Sequence, residues 1–269
     1  MITNKLNFES QNLVVDWIRF NIQGFVEKKQ IKQMAEYLFH NFKFNSIFAV
    51  GLDGKEEALF NDPKNNYQVS FRLYRYSDIY WDGIKIDFSG NNAAQLYNII
   101  REQKFDWNIF QLPNLNLSRF DLCYFRERQD TDPKDELQIF VINSISKLAN
   151  RHKKNSLNFD QSTKGCIVRI GNRKSSNFYC IDQTKTGLRF ELEIRKNLIK
   201  QFSDSLFCYE IEQFEKVLTI HFYNYSKKVL PLNNCYTDWL IKYLRKSEKP
   251  RNLLVTSYLK KKRITYPKM

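Results

Sequence analysis

The chain has 269 residues, enough for one large domain or a domain with a smaller appendage, and its 43 basic against 29 acidic side chains give a formal net charge of +14. With 22 phenylalanines and 15 tyrosines as stacking surfaces, that balance points to a polyanionic partner, nucleic acid ahead of a membrane surface. No apolar run is long enough to span a bilayer and MITNKLNFES lacks a signal-peptide core, so a soluble, non-secreted protein with no membrane partner is expected.

Residues 13–22 (LVVDWIRFNI) alternate apolar and polar as a strand does, and 29–42 carry Ile31, Met34, Tyr37, Leu38 and Phe42 at helical spacing. Residues 67–76 and 80–88 read as a hairpin joined through Ser77 and Asp78. Ser89, Gly90 and Asn91 stop the second strand and open a helix over 92–103, with Ala93, Leu96, Ile99 and Ile100 on one face. A strand over 117–126 (LSRFDLCYFR), a polar loop over 127–134 and a helix over about 135–149 follow. Beyond the basic connector 151–155, residues 166–171, 177–182 and 188–194 read as strands, and 197–202, 209–225 and 236–246 as helices. This order predicts an α+β fold, a largely antiparallel sheet covered by helices, with a smaller C-terminal helical region. The main domain is placed at 1–206 and a helical appendage with a basic tail at 207–269.

Two of the expected strands carry the chemistry. Side chains alternate faces along a strand, so Arg119 and Asp121 share one face of the first, and Arg189, Glu191 and Glu193 share one face of the other. If those faces adjoin, Asp121, Glu191 and Glu193 converge into an oxygen-rich site suited to Mg²⁺ or Mn²⁺. The plainer reading is a half-exposed strand with solvated charges. Glu191 and Glu193 would repel on one face unless a metal ion or an arginine sits between them.

The turn RIGNRKSSN between the two later strands gathers Arg169, Arg173, Lys174 and Ser175 around Gly171, a composition suited to holding phosphate and equally that of a basic hairpin turn. The next strand supplies Tyr179 and Asp182. Between Lys242 and Met269 ten basic residues stand against Glu248 alone; Lys260, Lys261, Lys262 and Arg263 there suit sequence-independent phosphate contact, a solubilising tail being the alternative.

Other mechanisms are excluded. His40, His152 and His221 are far apart in sequence, so there is no His-x-His or HExxH metal site, and no GxxxxGK[ST] loop for a nucleoside triphosphate. The five cysteines, Cys123, Cys166, Cys180, Cys208 and Cys235, form no CxxC pair and fit a reducing compartment. Heavy use of Lys, Asn, Ile, Phe and Tyr is that of an A/T-rich genome: an organelle, a plasmid or a low-G+C bacterium.

The set RFDLCYFR, GNRKSSNFY and LRFELE, with IKIDFSG upstream and YTDWLIKYL downstream, resembles plasmid rolling-circle replication initiators of the Rep-trans type. It is also similar to uncharacterised replication-protein-like reading frames of algal plastid genomes. The resemblance covers roughly residues 13–245 and implies metal binding by Asp121, Glu191 and Glu193 and contact of Arg173 and Ser175 with DNA phosphate; Arg119, Arg169, Lys174 and Arg189 are further DNA-binding candidates by their charge and position in these segments. In that family a tyrosine attacks a DNA phosphodiester. Its strand bears two tyrosines three residues apart, the second attacking; here Tyr179 holds the first position and Asp182 the second, and Phe125 stands where a second acid is usual.

The function this implies is a DNA-binding replication-initiator-like protein, in active form a metal-dependent tyrosine nicking and joining endonuclease at a double-stranded or single-stranded origin. The alternatives are a non-catalytic nucleic-acid-binding relic of the same fold and a water-using, metal-dependent nuclease. No small-molecule cofactor is expected, the oligomer state is open, and the location implied is the plastid, organelle-encoded, or else the cytoplasm of a low-G+C bacterium.

Overall fold

The computed structural model describes residues 13–42, 45–50, 56–62, 67–75, 80–110, 114–127, 143, 157–162, 165–171, 177–183, 187–208 and 210–230. In chain order these form β1 (Leu13–Glu27), α1 (Lys28–Phe42), β2 (Asn45–Val50), β3 (Glu56–Asp62), β4 (Tyr67–Arg75), β5 (Tyr80–Ser89) and α2 (Asn91–Arg101). A short 3-10 turn (Trp107–Phe110) leads to β6 (Leu115–Glu127), β7 (Leu157–Ser162), β8 (Gly165–Ile170), β9 (Asn177–Gln183) and β10 (Gly187–Arg195). Two helices follow, α3 (Lys196–Phe207) and α4 (Ile211–Val229).

The ten strands make one sheet in the order β2-β3-β4-β5-β1-β6-β10-β9-β8-β7. Every pair is antiparallel, so the fold is α+β, built as two four-stranded meanders on either side of a central β1·β6 pair. The expected strands and helices are present wherever the chain is described, and β2, β3 and β7 are additional to them. In β3 (EEALFND) and β7 (LNFDQS), Glu, Ala, Asn, Asp and Gln disfavour strands intrinsically, and pairing with a neighbour overrides that preference. The polar loop over 127–134 falls outside the described residues beyond Glu127, the expected helices over 135–149 and 236–246 lie there too but for Asn143, and so does the basic tail.

The register sorts side chains onto two faces. On one, Phe88, Ile18, Phe120 and Ile194 form a row across β5, β1, β6 and β10, and Val15, Leu122, Leu192, Tyr179 and Ile170 form the next. All are buried, and the helices cover them: α2 crosses β1 and β5, while α3 lies on β6 and β10 and against α4. Amphipathic spacing accounts for this, since Ala93, Leu96, Tyr97 and Ile100 put one apolar stripe of α2 onto the sheet. Phe20 anchors an aromatic cluster, with Trp107 at 5.7 Å and Phe88 and Phe207 each at 6.3 Å between ring centroids.

One expectation is corrected here. Among the described residues after 206, which end at Leu230, α4 is not a separate appendage, because its Phe214, Leu218 and Phe222 belong to the same core as the sheet. Phe214 meets Phe120 edge-on at 5.1 Å, and Phe222 lies 6.0 Å from Tyr179. The abrupt turn from β5 into α2 is made at Gly90, whose φ of 56° favours glycine and whose N–H donates to the Asp16 carbonyl at 2.8 Å. No helix among the described residues is long and apolar enough to cross a membrane.

His221 of α4 sits between the rings of Phe202 and Tyr225, where burial pushes its pKa down to about 4. The unfolded chain therefore takes up a proton near pH 6.5 that the folded chain refuses until about pH 4. Stability from this site is full above pH 6.5 and is lost as pH falls through that window. In chemical denaturation at pH 7 and pH 4.5, His221→Phe is expected to lose less stability between the two values than the wild type does.

Candidate functional site

The other face of the sheet is polar across its central strands. One register row reads Asp87 (β5), Arg19 (β1), Arg119 (β6) and Arg195 (β10); the next reads Ser89, Trp17, Asp121 and Glu193. Asp121 and Glu193 are directly opposite each other and almost inaccessible, at 0% and 3% exposure, an arrangement that like charge alone would disfavour. Arg119 resolves it. Its Nε lies 2.9 Å from each Asp121 oxygen, one of its Nη groups bonds both Asp121 and, at 2.9 Å, Glu193, and Arg195 takes the other Glu193 oxygen. The Arg119 guanidinium also stacks 4.2 Å above the Trp17 ring, whose Nε1–H donates to Asp87 at 2.8 Å.

A second centre lies further along β10. Arg189 donates from Nε to the Cys123 sulfur at 3.0 Å and from one Nη to Glu191 at 3.0 Å and to Asp16. Asp16 is the extra residue of a bulge, inserted where β1 otherwise steps in register along β6 from Leu122 to Asp121. Cys123 and Cys180 flank Glu191 on the neighbouring strands, and burial pushes both thiols up to about 12, so they stay protonated and inert near neutrality.

Burial raises Asp121 well above the usual carboxylate range; Arg119 opposes that shift, while Glu191 and Glu193 add to it. Glu191 is raised as well, chiefly by burial, with Arg189 pulling the other way. Each carboxylate named as a metal ligand is thus already bonded to an arginine. Among the described residues no group of three or more His, Cys, Asp and Glu is placed to hold a metal ion. The donor chemistry suits Mg²⁺ or Mn²⁺, but an ion at Asp121 and Glu193 would have to displace Arg119 and Arg195, so the arrangement described does not fit one.

Of the other sequence-derived candidates, Arg119 and Arg189 lie on this face as partners of carboxylates. Arg169 is half-buried beside Cys180, and Asp182 faces Arg189 across the β9·β10 pair. Tyr179 is corrected as a catalytic candidate: it is on the helix-covered face, fully buried, with its hydroxyl 3.0 Å from Ser226 and its pKa raised by burial. Strand alternation forces this, because Tyr179 pairs with Leu192 and so points away from Glu191 and Glu193. Arg173, Lys174, Ser175, Lys260, Lys261, Lys262 and Arg263 lie outside the described residues, although the flanking strand ends, Ile170 and Asn177, are at the same end of the sheet as Arg195.

Sequence reasoning missed Trp17, Arg19, Asp87 and Arg195. Alternation alone puts Trp17 with Arg19 and Lys85 with Asp87, but only the β1·β5 register shows that Arg19 meets Asp87. Acidic and basic side chains nearly balance among the described residues, so the surplus behind the +14 comes from the remaining segments. A scan against protein-family models finds no match for the chain, and a search of curated proteins finds none either.

Proposed function

We propose that this chain is a DNA-binding protein of replication-initiator-like architecture that holds the phosphate backbone through its basic segments and the polar sheet face. The observation that carries this form of the reading is the opposition of Tyr179 and the carboxylates. A tyrosine sealed in the core on one face cannot attack a phosphodiester held on the other, since nucleophilic displacement needs the attacking oxygen within about 3–3.5 Å and in line. Binding without a tyrosine ester is therefore favoured over nicking and joining at an origin. The basic surplus supplies sequence-independent attraction, and the arginine and carboxylate lattice supplies fixed polar geometry. Plastid encoding, or a low-G+C bacterial cytoplasm, belongs to the same proposal and rests on composition and resemblance.

The test is to incubate the full chain with supercoiled and single-stranded DNA over a series of salt concentrations, with and without Mn²⁺, followed by denaturing gels. The expected result is binding of both DNA forms that weakens steeply with salt, no covalent adduct, and the same behaviour for Tyr179→Phe. Absence of binding even at low ionic strength sinks the proposal. An adduct lost in Tyr179→Phe restores the tyrosine nickase, and Mn²⁺-dependent nicks without an adduct point to a water-using nuclease.

A further inference from the structure

The geometry points to Arg19 as a backbone-phosphate contact on the polar face, with Asp87 as its positioning residue; we infer this on the premise that the protein binds nucleic acid. Arg19 is half-buried, with 23% of its side chain exposed, and it lies in the middle of the sheet between β5 and β6. Among the described residues only its Nε is engaged, donating to an oxygen of Asp87 at 2.5 Å. That oxygen also accepts from Trp17, and the Asp87 side chain is 5% exposed, so the carboxylate is held in place. The four N–H groups on the two Nη atoms of Arg19 have no partner among the described residues.

An arginine fixed through Nε presents its far edge as a fork of parallel N–H groups, the geometry that matches two oxygens of a phosphate. The rotamer entropy such a contact would otherwise cost is already spent in the sheet. Backbone features fix it further. Ser118 is an extra residue in β6 opposite Arg19, and its hydroxyl lies 3.2 Å from the Arg19 carbonyl.

Arg119 and Arg195 continue the same row, one strand spacing of about 4.8 Å at each step, but they are engaged by Asp121 and Glu193. Their charges are offset by those two carboxylates, which leaves the Arg19 fork as the contact the row offers. Because Arg19 and Asp87 together are neutral, long-range attraction must come from the basic segments, and Arg19 supplies the local, directional contact. A phosphodiester backbone fits that division of labour better than a free anion, because one polyanion can engage the fork and the basic segments together.

The experiment measures binding of the full chain to a single-stranded and a duplex oligonucleotide across a salt series, for wild type, Arg19→Gln, Arg19→Lys and Asp87→Asn. Thermal melts confirm folding, and inorganic phosphate serves as competitor. Arg19→Gln is expected to weaken binding about tenfold and to lower the log–log salt slope by about 0.7–0.9, the share of one phosphate. Arg19→Lys keeps the charge without the fork, so its slope stays near wild type while affinity recovers only in part. Asp87→Asn keeps the slope and loses affinity, which a merely structural role would not produce. If wild type binds and Arg19→Gln matches it in affinity and slope, or if millimolar phosphate displaces the DNA at constant ionic strength, the assignment is overturned. If wild type binds neither oligonucleotide, the DNA-binding reading falls and this one with it.

Discussion

Arg119→Ala is expected to lower the unfolding free energy by about 3–5 kcal/mol, the loss typical of breaking a buried ion pair from one side. The substitution leaves Asp121 and Glu193 directly opposed, 0% and 3% exposed, with Arg195 as the remaining cation on Glu193. It also uncovers the Trp17 ring on which the guanidinium stacks. The loss should depend on pH in a definite direction. Asp121 already has a folded pKa above its unfolded value, so the folded state holds more protons than the unfolded between the two, and stability from this group falls as pH rises through that window. Removing Arg119 takes away the main influence opposing the rise, and the variant should be closest to wild type in mildly acidic buffer and furthest at pH 8. Urea melts of both proteins at pH 5 and pH 8 measure this; an equal loss at both values would mean that the carboxylates are not the source. Replacing Arg119, Asp121, Glu193 and Arg195 together by leucine is expected to recover most of the stability, because the cluster is costly to leave half-paired and cheap to remove whole.

Phe214→Ala is expected to cost about 3–5 kcal/mol, the range for truncating a buried aromatic residue in a core. Phe214 is 1% exposed and packs on Phe120 of β6 and, at 6.3 Å, on Tyr97 of α2, so its loss opens a cavity where three elements meet. Equilibrium denaturation read by far-ultraviolet circular dichroism gives the value. A helical appendage would show a separate early transition and leave the main one unmoved, whereas a shared core predicts a single transition at lower denaturant. Chains ending at residue 206 should then fail to fold cooperatively, since Phe120, Tyr97 and Tyr179 would lose their cover.

Much of the central sheet was readable because its strands announce themselves by alternation. Within LSRFDLCYFR and GLRFELEIR large apolar residues alternate with polar ones, and Phe120, Leu122, Tyr124, Phe190, Leu192 and Ile194 are all buried on the helix-covered face. The same period shows that Tyr179 and Asp182 face opposite sides, which is how the structure places them. What alternation cannot supply is partner choice. Glu193 opposite Asp121 and Arg19 opposite Asp87 depend on which strands pair and where bulges at Asp16 and Ser118 fall, and neither residue type marks a bulge. The packing of α4 on the sheet was not readable for a related reason. The stretch after Lys196 turns helical, but a change of period does not say which surface the new helices cover.

The order of the sheet has a consequence for synthesis. β1 is the first of the described strands to be synthesised, yet it lies between β5 and β6, with Leu13 paired to Tyr124. About a hundred residues separate the end of β1 from the end of β6, so at roughly 5–20 residues per second the growing chain spends about 5–20 s before the pair can close. During that interval β5 can occupy one side of β1, leaving the other as an open edge that carries Ile18 and Phe20 and invites pairing with any passing strand. The central seam that later joins the two meanders is thus the nascent chain's period of greatest exposure to aggregation, and the stage at which a chaperone has most to protect.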